Sequence, residues 1–265
     1  LPWYRGFYTD ATYTQQLIKS RSTGFTSEVQ NTLVEQNSIA KTTLAGKENL
    51  AKLNKPNTLA VISGQQTGLF LGPLLNFYKA YTCILAAKYF EQRFNLPVVP
   101  IFWIQSEDHD YEEIRKTSLI DQQGNLKDLA LSEISNSRRS VNFITLTEEV
   151  NDLTSELKQI TERFPYSKEM LTLILKHYQP GKSVAESFSS SLAELFADEG
   201  LLIFNPLKAN TLEPAKEVFN WALDESETIY QALKTREQEL SQAEFKPQIH
   251  LRENSPLFFI HPNGI

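Results

Sequence analysis

LAVISGQQTGLFLGP at residues 59–73 and PVVPIFWIQSEDHDYEE at residues 97–113 decide how this chain is read. The first apolar run, Leu59 to Ile62, breaks into a loop carrying Gly64, Gly68 and Gly72. The second, Val98 to Ile104, ends in Glu107, Asp108, His109 and Asp110. Short runs rich in Val and Ile suit strands buried on both faces. Between them Leu74, Tyr78, Tyr81 and Leu85 fall on one helical face. The order strand, glycine loop, helix, strand and acidic cluster predicts a βαβ unit. Its polar residues lie beyond the C-terminal ends of both strands, the edge where open parallel sheets bind ligands.

The three glycines allow the backbone to approach a ligand closely. Gly72-Pro73 suits a helix start, because proline at the first helical position gives up an amide that has no partner there. The free amides of that helix end would then favour a phosphate or carboxylate. The loop has neither the G-x-G-x-x-G nor the G-x-x-x-x-G-K-[ST] fingerprint. On residues alone, a tight strand-to-helix turn explains it as well as a nucleotide does. Gln65 and Gln66 add two neutral amides able to read donors and acceptors on a polar ligand. The carboxylates of the second cluster could bind an ammonium group, hold a magnesium ion near phosphates, or orient an imidazole. His109 is the acid–base candidate, since imidazole titrates near neutrality. The competing reading has Asp108, Asp110, Glu112 and Glu113 decorating the first turn of a helix. A zinc site from His109, His250 and His261 has unfamiliar spacing, so no metal ligands are assigned.

Residues 13–53 read as two or three polar helices. After the acidic cluster, Thr117–Asp121 and Leu126–Leu131 flank Gly124 and predict a β-hairpin. Ser140 to Leu146 alternates like a half-buried strand. Helices are predicted from Thr147, as the cap, to Phe164, from Lys168 to Tyr178, and from Ser183 to Gly200. Leu201 to Phe204 reads as another buried strand, and Glu213 to Ala243 as a long helix broken once. The expected fold is α/β: a Rossmann-like parallel sheet with core strands near 58–63, 97–104 and 200–204. A small β insertion and a helical insertion occupy about 115–182. Pro256 to His261 reads as a strand, and Asn263-Gly264 signals a hairpin turn. Only Ile265 follows, and residue 1 is not methionine. The chain is therefore expected to be a fragment, the N-terminal part of a longer core domain.

Composition narrows the partners. The chain has 265 residues, 41% hydrophobic and 22% charged, an ordinary globular balance with room for a sizeable core. A net charge of −6 without a Lys/Arg-rich block argues against nucleic acid. No apolar run reaches the roughly 18 residues of a membrane span, so no membrane partner is expected. Cys83 is the single cysteine, which fits a reducing cytoplasm and a buried structural thiol.

Ser63-Gly64-Gln65-Gln66-Thr67-Gly68-Leu69-Phe70, Gly72-Pro73, Lys79, Phe102-Trp103-Ile104 and Glu107-Asp108-His109-Asp110 together resemble the bacillithiol biosynthesis cysteine-adding enzymes, a cysteine ligase family. The likeness continues at lower density in Gly200 to Pro206 and in Pro247-Gln248-Ile249-His250. It implies a ligase that joins L-cysteine to the amine of glucosaminyl-malate in the last step of bacillithiol synthesis. It implies Asp108 and His109 as catalytic residues. Ser63, Gly64, Gln65, Gln66, Gly68, Gly72, Lys79, Glu107, Asp110 and His250 are implied as substrate or nucleotide contacts. ATP or another nucleotide is expected as cosubstrate, with Mg2+ as its companion, and no tightly bound cofactor. The resemblance further implies a coiled coil and a homodimer contact in a C-terminal part beyond this chain. The H-I-G-H tetrapeptide of class I aminoacyl-tRNA synthetases, which share a comparable loop, is absent here. Two other readings stand beside this one: a nucleotidyltransferase using the same loop, and a non-catalytic metabolite-binding scaffold.

Overall fold

The computed structural model describes residues 10–20, 24–134, 139–208, 215–247, 249 and 251. The chain divides into two units, Leu1–Ala209 and Asn210–Ile265. In the first, helices α1 (Ala11–Ser20), α2 (Ser27–Gln36) and α3 (Leu44–Lys52) precede strand β1 (Leu59–Gln65). Helix α4 (Leu74–Phe94) then leads to β2 (Val98–Ile104) and the short α5 (Tyr111–Ile114). A hairpin of β3 (Lys116–Ile120) and β4 (Leu126–Ala130) follows, then α6 (Glu149–Thr161), α7 (Ser167–His177), α8 (Val184–Leu195) and β5 (Leu202–Phe204). Strands β1, β2 and β5 form a parallel sheet in the order β1-β2-β5. The architecture is Rossmann-like α/β.

The central strand explains the apolar run at 98–104. Phe102 and Ile104 face a cluster with Ala80 and Ile84 of α4 and Phe188 and Leu192 of α8. Val99 and Ile101 face the opposite cluster, with Leu33, Leu50 and Leu53. A strand covered on both sides has no position for a polar side chain, and each buried aliphatic residue contributes about 1.5–3 kcal/mol.

The two outer strands end differently. Asn37 donates from Nδ2 to the Ile203 carbonyl at 2.9 Å and accepts from the Ile203 amide at 2.7 Å. Gln36 repeats the pattern on Asn205, at 3.0 and 2.7 Å. Two side-chain amides thus occupy the ladder positions that a further strand would take. Among the described residues, no strand pairs with the outer edge of β1.

Leu74, Tyr78, Tyr81 and Leu85 of α4 do share one face, but it is the exposed one. The buried face carries Asn76, Ala80, Cys83, Ile84 and Ala87. Small residues let the helix lie close on the sheet, and the large apolar ones are displaced outward. Pro73 precedes the helix rather than filling its first turn, and its peptide bond with Gly72 is cis.

The β3–β4 hairpin pairs from Lys116↔Ala130 to Ile120↔Leu126. Asp121 closes its turn by accepting the amides of Gln123 and Asn125 at 2.9 and 2.8 Å. Ser140 to Leu146 is not a strand. It forms a 3-10 turn at Val141–Phe143 and a single bridge, Thr145↔Ser183. Its amides are engaged elsewhere: Val141 N–H donates to the Asp108 carbonyl and Asn142 N–H to the Ser106 carbonyl. Thr147 receives the Val150 amide through its carbonyl, and among the described residues no side chain caps α6.

In the second unit, α9 (Lys216–Asp224) and α10 (Ser226–Gln242) are separated at Glu225, whose amide bonds the Trp221 carbonyl at 2.9 Å. Among the described residues no helix is long and apolar enough to cross a membrane. His250 and the strand expected at 256–261 lie outside the described residues.

The amide closure of β5 makes a testable demand. Asn37→Ala leaves the buried Ile203 amide and carbonyl without their side-chain partner, and it should lower unfolding free energy by about 3 kcal/mol. Lys88→Ala, which removes an exposed pair with Glu199, should cost less than about 1 kcal/mol. Urea titration of both variants compares them; equal losses would mean that the amide does not close the edge.

Candidate functional site

Parallel pairing sets the site. Gln65 at the end of β1 lies opposite Ile104 at the end of β2, so the loops that follow leave the sheet side by side. The Gln105 amide donates to the Gln65 carbonyl at 3.1 Å and extends the ladder by one step. Past that point Gln66 donates from Nε2 to Asp108 Oδ2, tying one loop to the other. Lys79, half-buried on α4, donates to Gln65 Oε1 at 2.8 Å. Four residues singled out from the sequence are thereby joined in two contacts.

Asp108 is more engaged than an acid–base role requires. Its Oδ1 accepts the amides of His109 at 2.6 Å and Asp110 at 3.1 Å, and Oδ2 accepts from Gln66. The carboxylate therefore shapes the turn and holds it to β1. His109 stands beside it, with Nδ1 3.7 Å from Oδ1 and its side chain 65% exposed. Glu107 is exposed as well. Asp110 accepts the Glu113 amide at 3.4 Å and caps α5, while Glu112 pairs with Arg115 at 2.9 Å. The helix-decorating reading thus holds for Asp110 and Glu112. The Arg115 hydrogen bond holds the Glu112 carboxyl below its usual range.

The glycine loop closes on itself. A Cβ on Gly68 would lie 1.7 Å from the Gly72 carbonyl oxygen, and one on Gly72 would lie 2.4 Å from Thr117 Oγ1. At Gly64 the obstacle is the Trp103 carbonyl oxygen, at 2.8 Å. The close approach expected toward a ligand is thus made first to the protein itself, to backbone at Gly64 and Gly68 and to the Thr117 side chain at Gly72. Phe70 and Leu71 take positive φ values of 52° and 65°, a conformation that costs a side-chain-bearing residue about 1–2 kcal/mol. Leu69 anchors the loop in the core of the insertion, among Tyr111, Val141, Ile174 and Tyr178. Asn76, fully buried, donates to the Gly72 carbonyl at 2.7 Å. Its Oδ1 and the buried Thr67 hydroxyl have no hydrogen-bond partner among the described residues. Among the described residues no side chain caps α4; the Asn76 amide donates to the Pro73 carbonyl at 2.9 Å, which leaves the Leu74 and Leu75 amides for an anion.

Beside β1 runs a groove of about 370 Å³. Ile62, Leu75 and Tyr78 supply its apolar wall, and Ser63 and Lys79 bring a hydroxyl and an ammonium group to it. Mostly apolar walls with a few placed polar groups are the usual make-up of small-ligand sites. Cys83 also lines it, but its thiol donates to the Val61 carbonyl at 3.1 Å and burial pushes its pKa up, away from reactivity.

Sequence reasoning missed the residues that hold these loops from behind. Ser106 donates to Asn205 Oδ1 at 2.6 Å, and Asn205 donates to Asn142 Oδ1 at 3.1 Å. Tyr178 grips the glycine loop. Asn142 and Tyr178 stand in the insertion, far from the loops in sequence, and carry no local signal of the contact.

Comparison with known proteins adds the decisive observation. The family model for the bacillithiol biosynthesis BshC N-terminal Rossmann-like domain matches residues 2–265. The chain belongs to the BshC family. A relative from Chloroherpeton thalassium named "Putative cysteine ligase BshC" is 35% identical over 80% of this chain and 38% of its own length. One of the same name from Natranaerobius thermophilus is 31% identical over 80% of this chain and 39% of its own. A third, from Bacillus cytotoxicus, is 26% identical over 93% of this chain and 46% of its own. The chain thus spans about two-fifths of the length of these BshC proteins.

The loop geometry separates two kinds of glycine. Gly68→Ala should cost about 3 kcal/mol or more, because the added methyl has nowhere to go. Gly124→Ala, in a turn with φ +84° and open space around it, should cost about 1 kcal/mol. Similar denaturation midpoints for the two variants would remove the close Gly68–Gly72 approach from the account.

Proposed function

We propose that the intact protein is a cytoplasmic cysteine ligase that joins L-cysteine to the amine of glucosaminyl-malate, with ATP activating the cysteine carboxylate. The observation that carries this reading is the meeting of Gln65, Gln66, Lys79 and Asp108 at adjoining strand ends, in a chain of a bacillithiol-biosynthesis family. Polar groups gathered at the carboxyl edge of a parallel sheet support a ligand site there.

In this reading a carboxylate oxygen of cysteine attacks the α-phosphorus of ATP, and pyrophosphate leaves. The glucosaminyl amine then attacks the acyl carbon, AMP leaves and the amide bond forms. The Lys79 ammonium and the Leu74 and Leu75 amides at the start of α4 are assigned to the phosphates. Ser63, Gln65 and the apolar wall of Ile62, Leu75 and Tyr78 are assigned to the remainder of the nucleotide. The attacking amine must shed a proton, and His109 is assigned to accept it. Asp108, tied by Gln66, keeps that histidine's loop in place. Glu107 is assigned to the cysteine ammonium, and His250 remains a proposed ligand contact. Among the described residues no three His, Cys, Asp or Glu side chains are grouped to hold a metal ion. Mg2+ would therefore arrive on the phosphates of the nucleotide.

Isotope exchange between ATP and pyrophosphate tests this reading in the intact protein. Exchange that requires L-cysteine is the expected result. Exchange that requires a different substrate would replace the ligase with a nucleotidyltransferase, and no exchange at all would contradict activation by ATP. Within the same assay series, Lys79→Ala should raise the KM for ATP about tenfold. His109→Ala should lower kcat at least about tenfold. Near-normal constants in both variants would place the chemistry elsewhere.

A further inference from the structure

Tyr178 follows α7 in the helical insertion and is buried, with 1% of its surface exposed. Its hydroxyl donates to the Gly68 carbonyl at 3.0 Å and accepts the Leu71 amide at 3.2 Å. These two groups stand at positions one and four of the turn 68–71. In an ordinary β-turn they would bond to each other. Here a phenol oxygen bonds to both of them. The two inner positions of the turn are Leu69, packed into the insertion core, and Phe70, whose ring meets the Tyr178 ring edge-on at 5.1 Å between centroids. Phe70 and Leu71 both keep positive φ. The fully buried phenol stays protonated, because burial pushes its pKa above the ordinary value.

We propose that Tyr178 is a positioning residue for the glycine loop: its hydroxyl, bridging Gly68 and Leu71, sets the loop conformation that receives the nucleotide. The inference rests on the proposed nucleotide site and takes the glycine loop, through the contacts expected at Gly68 and Gly72, as part of it. It also gives the helical insertion a task, since the residue that sets the loop comes from more than one hundred positions away in the chain. Neither the phenol nor its two partners touches the reacting atoms in this account. Tyr178 acts only through the backbone it holds.

Tyr178→Phe in the intact protein tests the proposal, with Ile174→Val as a control. Ile174 packs in the same cluster, and its valine variant loosens that packing without removing the hydroxyl. In Tyr178→Phe the Leu71 amide should exchange with solvent deuterium at least tenfold faster. The KM for ATP should rise about tenfold while kcat stays within threefold. Ile174→Val should leave all three quantities within threefold of the parent. Unchanged Leu71 exchange would overturn the proposal, as would faster exchange with an unchanged KM. Equal effects from Ile174→Val, or a Tyr178→Phe protein that fails to fold by circular dichroism, would reduce Tyr178 to a packing residue. A parent that adds no cysteine to glucosaminyl-malate would sink the ligase reading without touching this one. The calorimetric affinity for ATP would then stand in for KM under the same thresholds, and absence of ATP binding by the parent would overturn both.

Discussion

The hydrogen bond from Gln66 to Asp108 joins residues 42 positions apart and fixes two loops as one surface. Each loop belongs to a different strand, and the parallel register of β1 with β2 brings them to the same edge. The register alone leaves their relative geometry loose beyond Gln105. The tie between the Gln66 amide and the Asp108 carboxylate removes that freedom, and Asp108 spends its other oxygen on the amides of its own turn. A charged acceptor strengthens such contacts relative to neutral pairs. This explains why a carboxylate stands at 108 even though its hydrogen-bonding capacity is turned toward the protein.

The insertion between β2 and β5 holds this edge from behind at two points. Ser140, Val141 and Asn142 bind the carbonyls of Ser106 and Asp108. Tyr178 and the cluster around Leu69 hold the glycine loop. Neither loop is therefore a free surface excursion. Their strained residues, Phe70 and Leu71, persist because the surroundings over-determine them, a pattern found at ligand sites. Stability of the insertion and geometry of the site are coupled through these contacts.

What could be read from the chain follows from where the signal is local. The apolar run at 98–104 has one explanation, a strand covered on both faces, and the sheet bears it out. The hairpin at 116–130 announces itself through Gly124 and the flanking alternation. That Leu74, Tyr78, Tyr81 and Leu85 share one face of α4 was legible, but not that this face is exposed. Close packing on a sheet selects Ala80, Cys83 and Ala87 and leaves Tyr78 and Tyr81 outside. Ser140 to Leu146 looked like a strand because alternation does not reveal that the Val141 and Asn142 amides are claimed by the loop after β2. The glycines at 68 and 72 were visible, but their reasons, the fold of the loop onto the Gly72 carbonyl and the contact with Thr117, depend on a loop geometry the sequence does not show. Tyr178 and Asn142 give no sign at all in the sequence, since a buried phenol or amide at the end of a connection is ordinary until its partner is known.

The central claim is that the two tied loops form a single ligand surface. An amide-exchange footprint of the intact protein, with and without ATP and L-cysteine, tests it most directly. The account predicts that residues 63–72 and 104–110 gain protection together, while the β3–β4 hairpin at 116–130 is unchanged. Protection confined to one of the two loops, or appearing only outside both, would contradict it.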